Sequence, residues 1–177
     1  MVLPDKRLMD IVMQHWSNSE PSNINSASID LQLDNEAIIY DWPLWYRLMW
    51  RLTKNKKWLR RRRVVDLSEK PFLLRPGHMA LLSTQEWIVV PPKYAALLTL
   101  KSSRGREGYD HALAGWFDPG FRGSGVLEVY ANAVPVWLRP DLKIAQIIYI
   151  AMIQEPDKPY NGHYQEQKGV TESWTLS

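Results

Sequence analysis

At 177 residues and 20.7 kDa the chain has room for one domain, and 45% hydrophobic with 23% charged residues excludes wholesale disorder. It contains no cysteine, which removes disulfide staples, thiolate nucleophiles and cysteine-ligated zinc together. The net charge of +3 conceals an asymmetry: nine basic residues and no acid lie between Trp42 and Arg63, while the other 13 basic residues face 19 acidic ones.

Four histidines (His15, His78, His111 and His163) are too scattered to suggest a metal site by spacing. The longest apolar stretch, Ile144 to Ile153, is broken by Gln146 and is about half the length a membrane helix needs. Met1 to Asp10 mixes acids with apolar residues and has no leader pattern. A soluble, cytoplasmic protein without a membrane span is expected.

Along the chain, Asp5 to Trp16 carries apolar residues at three- and four-residue spacing and predicts a helix. Ser17 to Ser26 is polar and reads as a loop. Ala27 to Leu33 alternates, with Ile29, Leu31 and Leu33 on one face of a half-buried strand. In the basic segment, Trp42, Trp45, Met49 and Leu52 recur as a helical stripe. The plain reading is a helix or strap packed on its own body with a solvated basic face; contact with nucleic acid or an anionic membrane is the alternative.

From Pro71 onwards strands dominate: Phe72 to Leu74, Met79 to Ser83, Trp87 to Val90, Ala95 to Leu100, Gly125 to Tyr130, Val134 to Leu138 and Ile144 to Ile153. Short strands at this spacing predict a mainly β fold, a β-barrel or jelly-roll-like sandwich. Residues 154–177 are polar, rich in Gly, Pro and Gln, and read as a C-terminal arm without a core of its own.

Three polar clusters interrupt the β pattern. Lys101-Ser-Ser-Arg-Gly-Arg106 follows an apolar strand with hydroxyls and cations suited to a polyphosphate, although a plain polar turn has the same composition. Ala114-Gly-Trp-Phe-Asp-Pro-Gly-Phe-Arg-Gly123 places Asp118 in a tight turn among aromatics, where it could also simply cap that turn. Glu128 lies inside Val126-Leu-Glu-Val-Tyr130, on the face of Val126 and Tyr130. It either points to solvent from an edge, the plainer reading by composition, or lies in a pocket that would raise its pKa and suit it to proton transfer.

Taken together these clusters resemble the dCTP deaminases of the trimeric dUTPase-like superfamily. The resemblance rests on Lys-Ser-Ser-x-Gly-Arg, then Ala-Gly-x-x-Asp-Pro-Gly-Phe-x-Gly, then Leu-Glu, with Glu128 ten positions after Asp118. Ala27 to Leu31, Phe72 to Gly77, Lys143 to Gln146, Pro159-Tyr160 and Tyr164 to Gly169 extend it in the family's order.

The resemblance implies a homotrimer of distorted, dUTPase-like β-barrels with active sites between subunits. It implies hydrolytic deamination of dCTP to dUTP without zinc, carried on to dUMP and pyrophosphate if the chain is of the bifunctional type. Under it Glu128 is the general base and Ser102 holds the water or the base edge. The backbone near Ala114 reads the pyrimidine, and Val126 and Leu127 are further nucleotide contacts. Lys101, Ser103, Arg104, Gly105 and Arg106 hold the triphosphate, with Mg²⁺ bound through the phosphates. Asp118, Gln146, Tyr160, Gln167 and His163 are the remaining nucleotide contacts, His163 standing where a phosphate-contacting lysine is usual. A dUTPase without deaminase activity, or a degenerate nucleotide-sensing or partner-binding homologue, remains the alternative.

Overall fold

The computed structural model describes residues 1–16, 20–41, 43–55 and 61–176. Trp42, Lys56, Lys57, Trp58 and Arg60 of the basic segment lie outside the described residues, as do residues 17–19 of the expected loop. In chain order come α1 (Asp5–His15), β1 (Ile29–Asp41), α2 (Leu44–Thr53), β2 (Arg61–Asp66), β3 (Phe72–Leu74), β4 (Met79–Val89), β5 (Tyr94–Leu100), α3 (Ser102–Arg106), β6 (Tyr109–His111), β7 (Trp116–Phe117), β8 (Arg122–Ala131), β9 (Val136–Leu138) and β10 (Lys143–Ala151). The mainly β architecture and the short N-terminal helix are those expected.

One antiparallel path runs β6-β8-β4-β1-β10-β5-β7, with β2 added to β1 and a separate β3–β9 pair. Curling comes from β1. Its first residues pair with β10 (Ile29 opposite Ile147), whereas Glu36 to Asp41 lie between β2 and β4 (Ile38 opposite Val64 and Leu81). The expected strand Ala27 to Leu33 therefore continues to Asp41. Its polar stretch Asp34-Asn35-Glu36 is not an end but a slip of register between Leu33 and Ala37 against β4.

A second bulge joins two expected strands into one. Between Ser83 and Trp87 the register of β4 against β8 shifts, and Thr84-Gln85-Glu86 occupies the kink. The Thr84 hydroxyl donates to the carbonyl of Glu86 (3.0 Å) and accepts from the N–H of Gly125 (2.9 Å). Both Glu86 carboxylate oxygens accept from the N–H of Gln32, at 3.1 and 3.0 Å. Glu86 is only 1% exposed, and burial pushes its carboxyl up to about 7.

The inner face carries Ile29, Leu31, Leu33, Leu127, Val129, Ile144 and Ile147, and α1 covers part of the core with Leu8, Ile11 and Val12. Each such side chain contributes about 1.5–3 kcal/mol on burial. Tyr149, fully buried, donates its hydroxyl to the carbonyl of Val89 at 2.7 Å.

One expectation needs correction. The helix of the basic segment exists as α2, but it does not pack its stripe on the body: none of its residues is buried, and Leu52 is 70% and Trp45 53% exposed. The last rung of the β1–β2 pairing, Asp41 opposite Arg61, comes just before this excursion, so α2 lies past the end of the sheet. Within Lys101 to Arg106, read either as a phosphate-binding cluster or as a polar turn, Ser102 to Arg106 form the short helix α3 with Lys101 at its N-cap.

The C-terminal arm, read from the sequence as having no core of its own, lies along the body. It runs beside the start of β8, where Glu166 donates its N–H to the carbonyl of Arg122 (2.8 Å) and Ser124 donates to that of Gln167 (2.9 Å). Gly123 is required there, since its φ is +147° and a Cβ would lie 2.9 Å from the Gln167 oxygen. Tyr160 and Tyr164 pack against the main core.

Candidate active site

Even-numbered residues of β8 face away from the core: Leu127, Val129 and Ala131 are buried inside, while Val126, Glu128 and Tyr130 point outward. Register places Leu81 of β4 opposite Glu128, and Ile38 of β1 opposite Leu81. Ile38, Tyr40 and Leu81, with Met79, Val126 and Val170, make a second apolar cluster on this outer face. It floors a cavity of about 570 Å³ whose walls include Glu128, Asp118, Ala114, Val126, Tyr160 and Gln167. That volume suits a small ligand.

Six of the residues singled out in the sequence thus converge. Glu128 sits in the pocket rather than in open solvent. Its Oε2 is enclosed and has no hydrogen-bond partner among the described residues, and burial raises its pKa from the ordinary carboxylate range. Its main-chain carbonyl accepts from the N–H of Ala112 at 3.1 Å. On the core side of the same rung system, His111 lies opposite Val129, buried, with neither ring nitrogen bonded among the described residues; burial lowers its pKa.

Asp118 is held by its turn. The indole N–H of Trp116 donates to its Oδ1 at 3.0 Å, and its own carbonyl accepts from Phe121 (3.1 Å). Gly120, at φ +96°, lets Tyr160 approach: a Cβ there would lie 2.8 Å from Pro159, and the Tyr160 N–H donates to the carbonyl of Pro119 at 2.8 Å. The arm then roofs the cavity with Thr171 and Ser173. Between these two, Glu172 accepts from the hydroxyl of Tyr40 and pairs with Arg62 of β2 at 2.9 Å.

The other expected residues lie elsewhere on the chain. Leu127 is fully buried, so its side chain serves the core. Ser102, Ser103, Gly105 and Arg106 are exposed on α3. Lys101 bonds Asp30, which also lies 3.7 Å from Lys143. Gln146, opposite Asp30 in the ladder, accepts from the Ser28 hydroxyl at 3.3 Å, so it belongs with this cationic group. Arg104 is engaged away from both groups, paired with Glu107 at 2.7 Å and 6.0 Å from the centre of the Tyr109 ring. His163 stacks on Trp174 with ring centres 4.2 Å apart.

Sequence reasoning missed several cavity residues, among them Tyr40, Leu81 and Tyr164. Tyr40 had a usable signal, since it alternates with Ile38 beyond the polar interruption of β1. Thr171 and Ser173 had none in composition.

Comparison with known proteins identifies the family of the chain. Residues 2–152 match the profile of the family described as dCTP deaminase-like. A protein of Sulfurihydrogenibium sp. named dCTP deaminase, dUMP-forming, is 32% identical over 178 residues, covering 98% of this chain and 96% of its own. Proteins with the same name from Aquifex aeolicus (30% identical, 98% and 94% covered) and Bifidobacterium longum (34%, 98% and 93%) are also similar. In fold, the chain is similar to the crystal structure of 2′-deoxycytidine 5′-triphosphate deaminase from Agrobacterium tumefaciens, with a TM-score of 0.66 and 20% identity over 85% of this chain. This chain spans about half of that longer one, 48%. With the family profile matched over residues 2–152 and relatives at 30% identity or more along nearly their whole length, the chain belongs to the dCTP deaminase-like family.

Proposed function

We propose that the protein hydrolytically deaminates dCTP and carries the product on to dUMP, as a cytoplasmic homotrimer. The observation that carries the reading is Glu128, a carboxyl in an apolar cavity with one oxygen unpaired among the described residues and a raised pKa. In the reaction Glu128 takes a proton from water as the water oxygen attacks C4 of cytosine. It returns that proton to the exocyclic nitrogen, the proton of the new C4 hydroxyl passes to N3 as the C4 carbonyl forms, the C4–N bond breaks, and ammonia leaves with dUTP as the other product. The chain has no cysteine to build the usual zinc-deaminase centre, so activation of the water falls to the carboxylate.

Asp118 supports the second step. Fixed by Trp116 in the same cavity, it can orient another water toward the α-phosphate of dUTP, releasing pyrophosphate and dUMP. The name dUMP-forming carried by the relatives supports this. α3 with Ser102, Ser103 and Arg106 supplies hydroxyls and forked cations for the triphosphate. Because it does not line the cavity of its own subunit, a trimer in which α3 of one subunit completes the cavity of the next accounts for both groups. Carboxylates near α3 are already paired, Asp30 with lysines and Glu107 with Arg104, so a Mg²⁺ fits as a companion of the phosphate oxygens.

The second reading, a dUTPase without deamination, is favoured only by Asp118. Assaying ammonia release from dCTP beside pyrophosphate release from dUTP tests the proposal. Both activities are expected; pyrophosphate alone would establish the dUTPase, and bound nucleotide with neither product would make the chain a sensing homologue.

A further inference from the structure

Leu44, Leu48 and Leu52 recur every four residues along α2 and are 81%, 55% and 70% exposed, with Trp45, 53% exposed, beside them. They form a strip about 12 Å long at 1.5 Å per residue. Arg47 and Arg51, also exposed, flank that strip on the adjoining side of the helix. Lys54 closes the helix in a left-handed conformation, its ammonium 4.8 Å from the Trp50 ring. From Trp42 to Arg63 the sequence contains no acid.

Partner chemistry follows from these two adjoining faces. Nucleic acid would accept the arginines but offers nothing to a leucine strip. A second copy of α2 would bring its own arginines toward these, with no acid in the segment to meet them. An anionic bilayer answers both, with acyl chains for the leucines and Trp45 and headgroup phosphates for the arginines. We propose that α2 is an interfacial helix that docks the protein on anionic membrane surfaces, lying in the plane of the headgroups.

The test is co-sedimentation of the full chain with unilamellar vesicles, and it needs no nucleotide. Association is expected with vesicles about one-third phosphatidylglycerol and not with pure phosphatidylcholine. It should weaken as NaCl rises from about 0.05 to 0.5 M, because screening shortens the reach of the headgroup field. The triple variant Leu44→Ser/Leu48→Ser/Leu52→Ser should lose at least about tenfold in partitioning, since each leucine otherwise transfers several methylenes into the interface. Circular dichroism and sedimentation velocity on that variant should match the parent.

Absence of binding to anionic vesicles would overturn the proposal. So would binding indifferent to the leucine changes, which would leave charge alone at work. A change of oligomeric state in the leucine variant without vesicles would reassign the face to a copy of the chain. Displacement of the protein from vesicles by an oligonucleotide at equal phosphate would reassign it to nucleic acid.

Discussion

Glu86 and Glu128 sit on neighbouring strands, and burial raises the pKa of both, yet they serve opposite ends. Glu86 faces inward at the β4 bulge, and both its oxygens accept from the N–H of Gln32. Glu128 faces outward into the cavity with an oxygen unspent. A raised pKa is therefore no mark of catalysis by itself. What separates the pair is whether the carboxyl has a fixed partner or an open space before it.

The largest effect should come from Glu128→Gln, which keeps the shape but cannot accept a proton. Deamination should fall by about 10²–10⁴-fold with dCTP still bound, read by ammonia release and equilibrium binding. In the parent, kcat/KM should drop on the acid side through a pKa above the normal glutamate range, and wild-type turnover by the variant would end the contrast.

Glu86→Gln should instead change stability. With a folded pKa of about 7 against 4.5 unfolded, the native state holds its proton more tightly. Wild-type stability then falls as pH rises between those values, by up to about 3 kcal/mol, and is unaffected below about 4.5. The glutamine variant should lack that slope and exceed the parent above pH 7 in urea titrations, with deamination within a few-fold. A similar pH slope in both proteins would separate Glu86 from the effect.

Arg106→Ala sharpens the comparison on the side of binding. Losing charged hydrogen bonds to phosphate, each about 1.5–3 kcal/mol, should raise the dCTP dissociation constant at least about tenfold by calorimetry. Unchanged affinity would remove α3 from the phosphate site.

The smallest effect belongs to Glu172→Gln. The Arg62 pair is half exposed and worth at most about 1 kcal/mol, so the roof should loosen rather than leave. Amide exchange over residues 170–173 should quicken several-fold, and KM should rise with little change in kcat. Unaltered exchange would mean that Tyr40 and Arg62 do not hold the arm.

Much of this was legible in the residues. Alternation along Val126 to Tyr130 put Glu128 and Val126 on one face, and the glycine-rich turn around Asp118 announced itself. Glu86 did not, because Ser-Thr-Gln-Glu looks like a gap between two strands when it is the kink of one. Tyr40 was hidden behind Asp34-Asn35-Glu36 for the same reason: a bulge and a strand end share a composition. An arm carrying Tyr160 and Gln167 was legible, but Thr171 and Ser173 escaped because main-chain pairing beside β8 needs only a Gly at 123 and no apolar pattern in the arm. The stripe of α2 predicted a helix correctly and packing wrongly, since periodicity says which residues share a face and not whether anything stands opposite.

The arm that roofs the cavity is also among the last of these residues to leave the ribosome. Until Thr171 and Ser173 emerge, the sheet can carry Glu128 and Asp118 in place while the chamber above them stands open to water. A premature stop codon or a protease cut after Gln167 would reproduce that state permanently, leaving a protein that has its acids but no lid. Loss of Thr171 and Ser173 would therefore cost the cavity its shielding before it cost the fold.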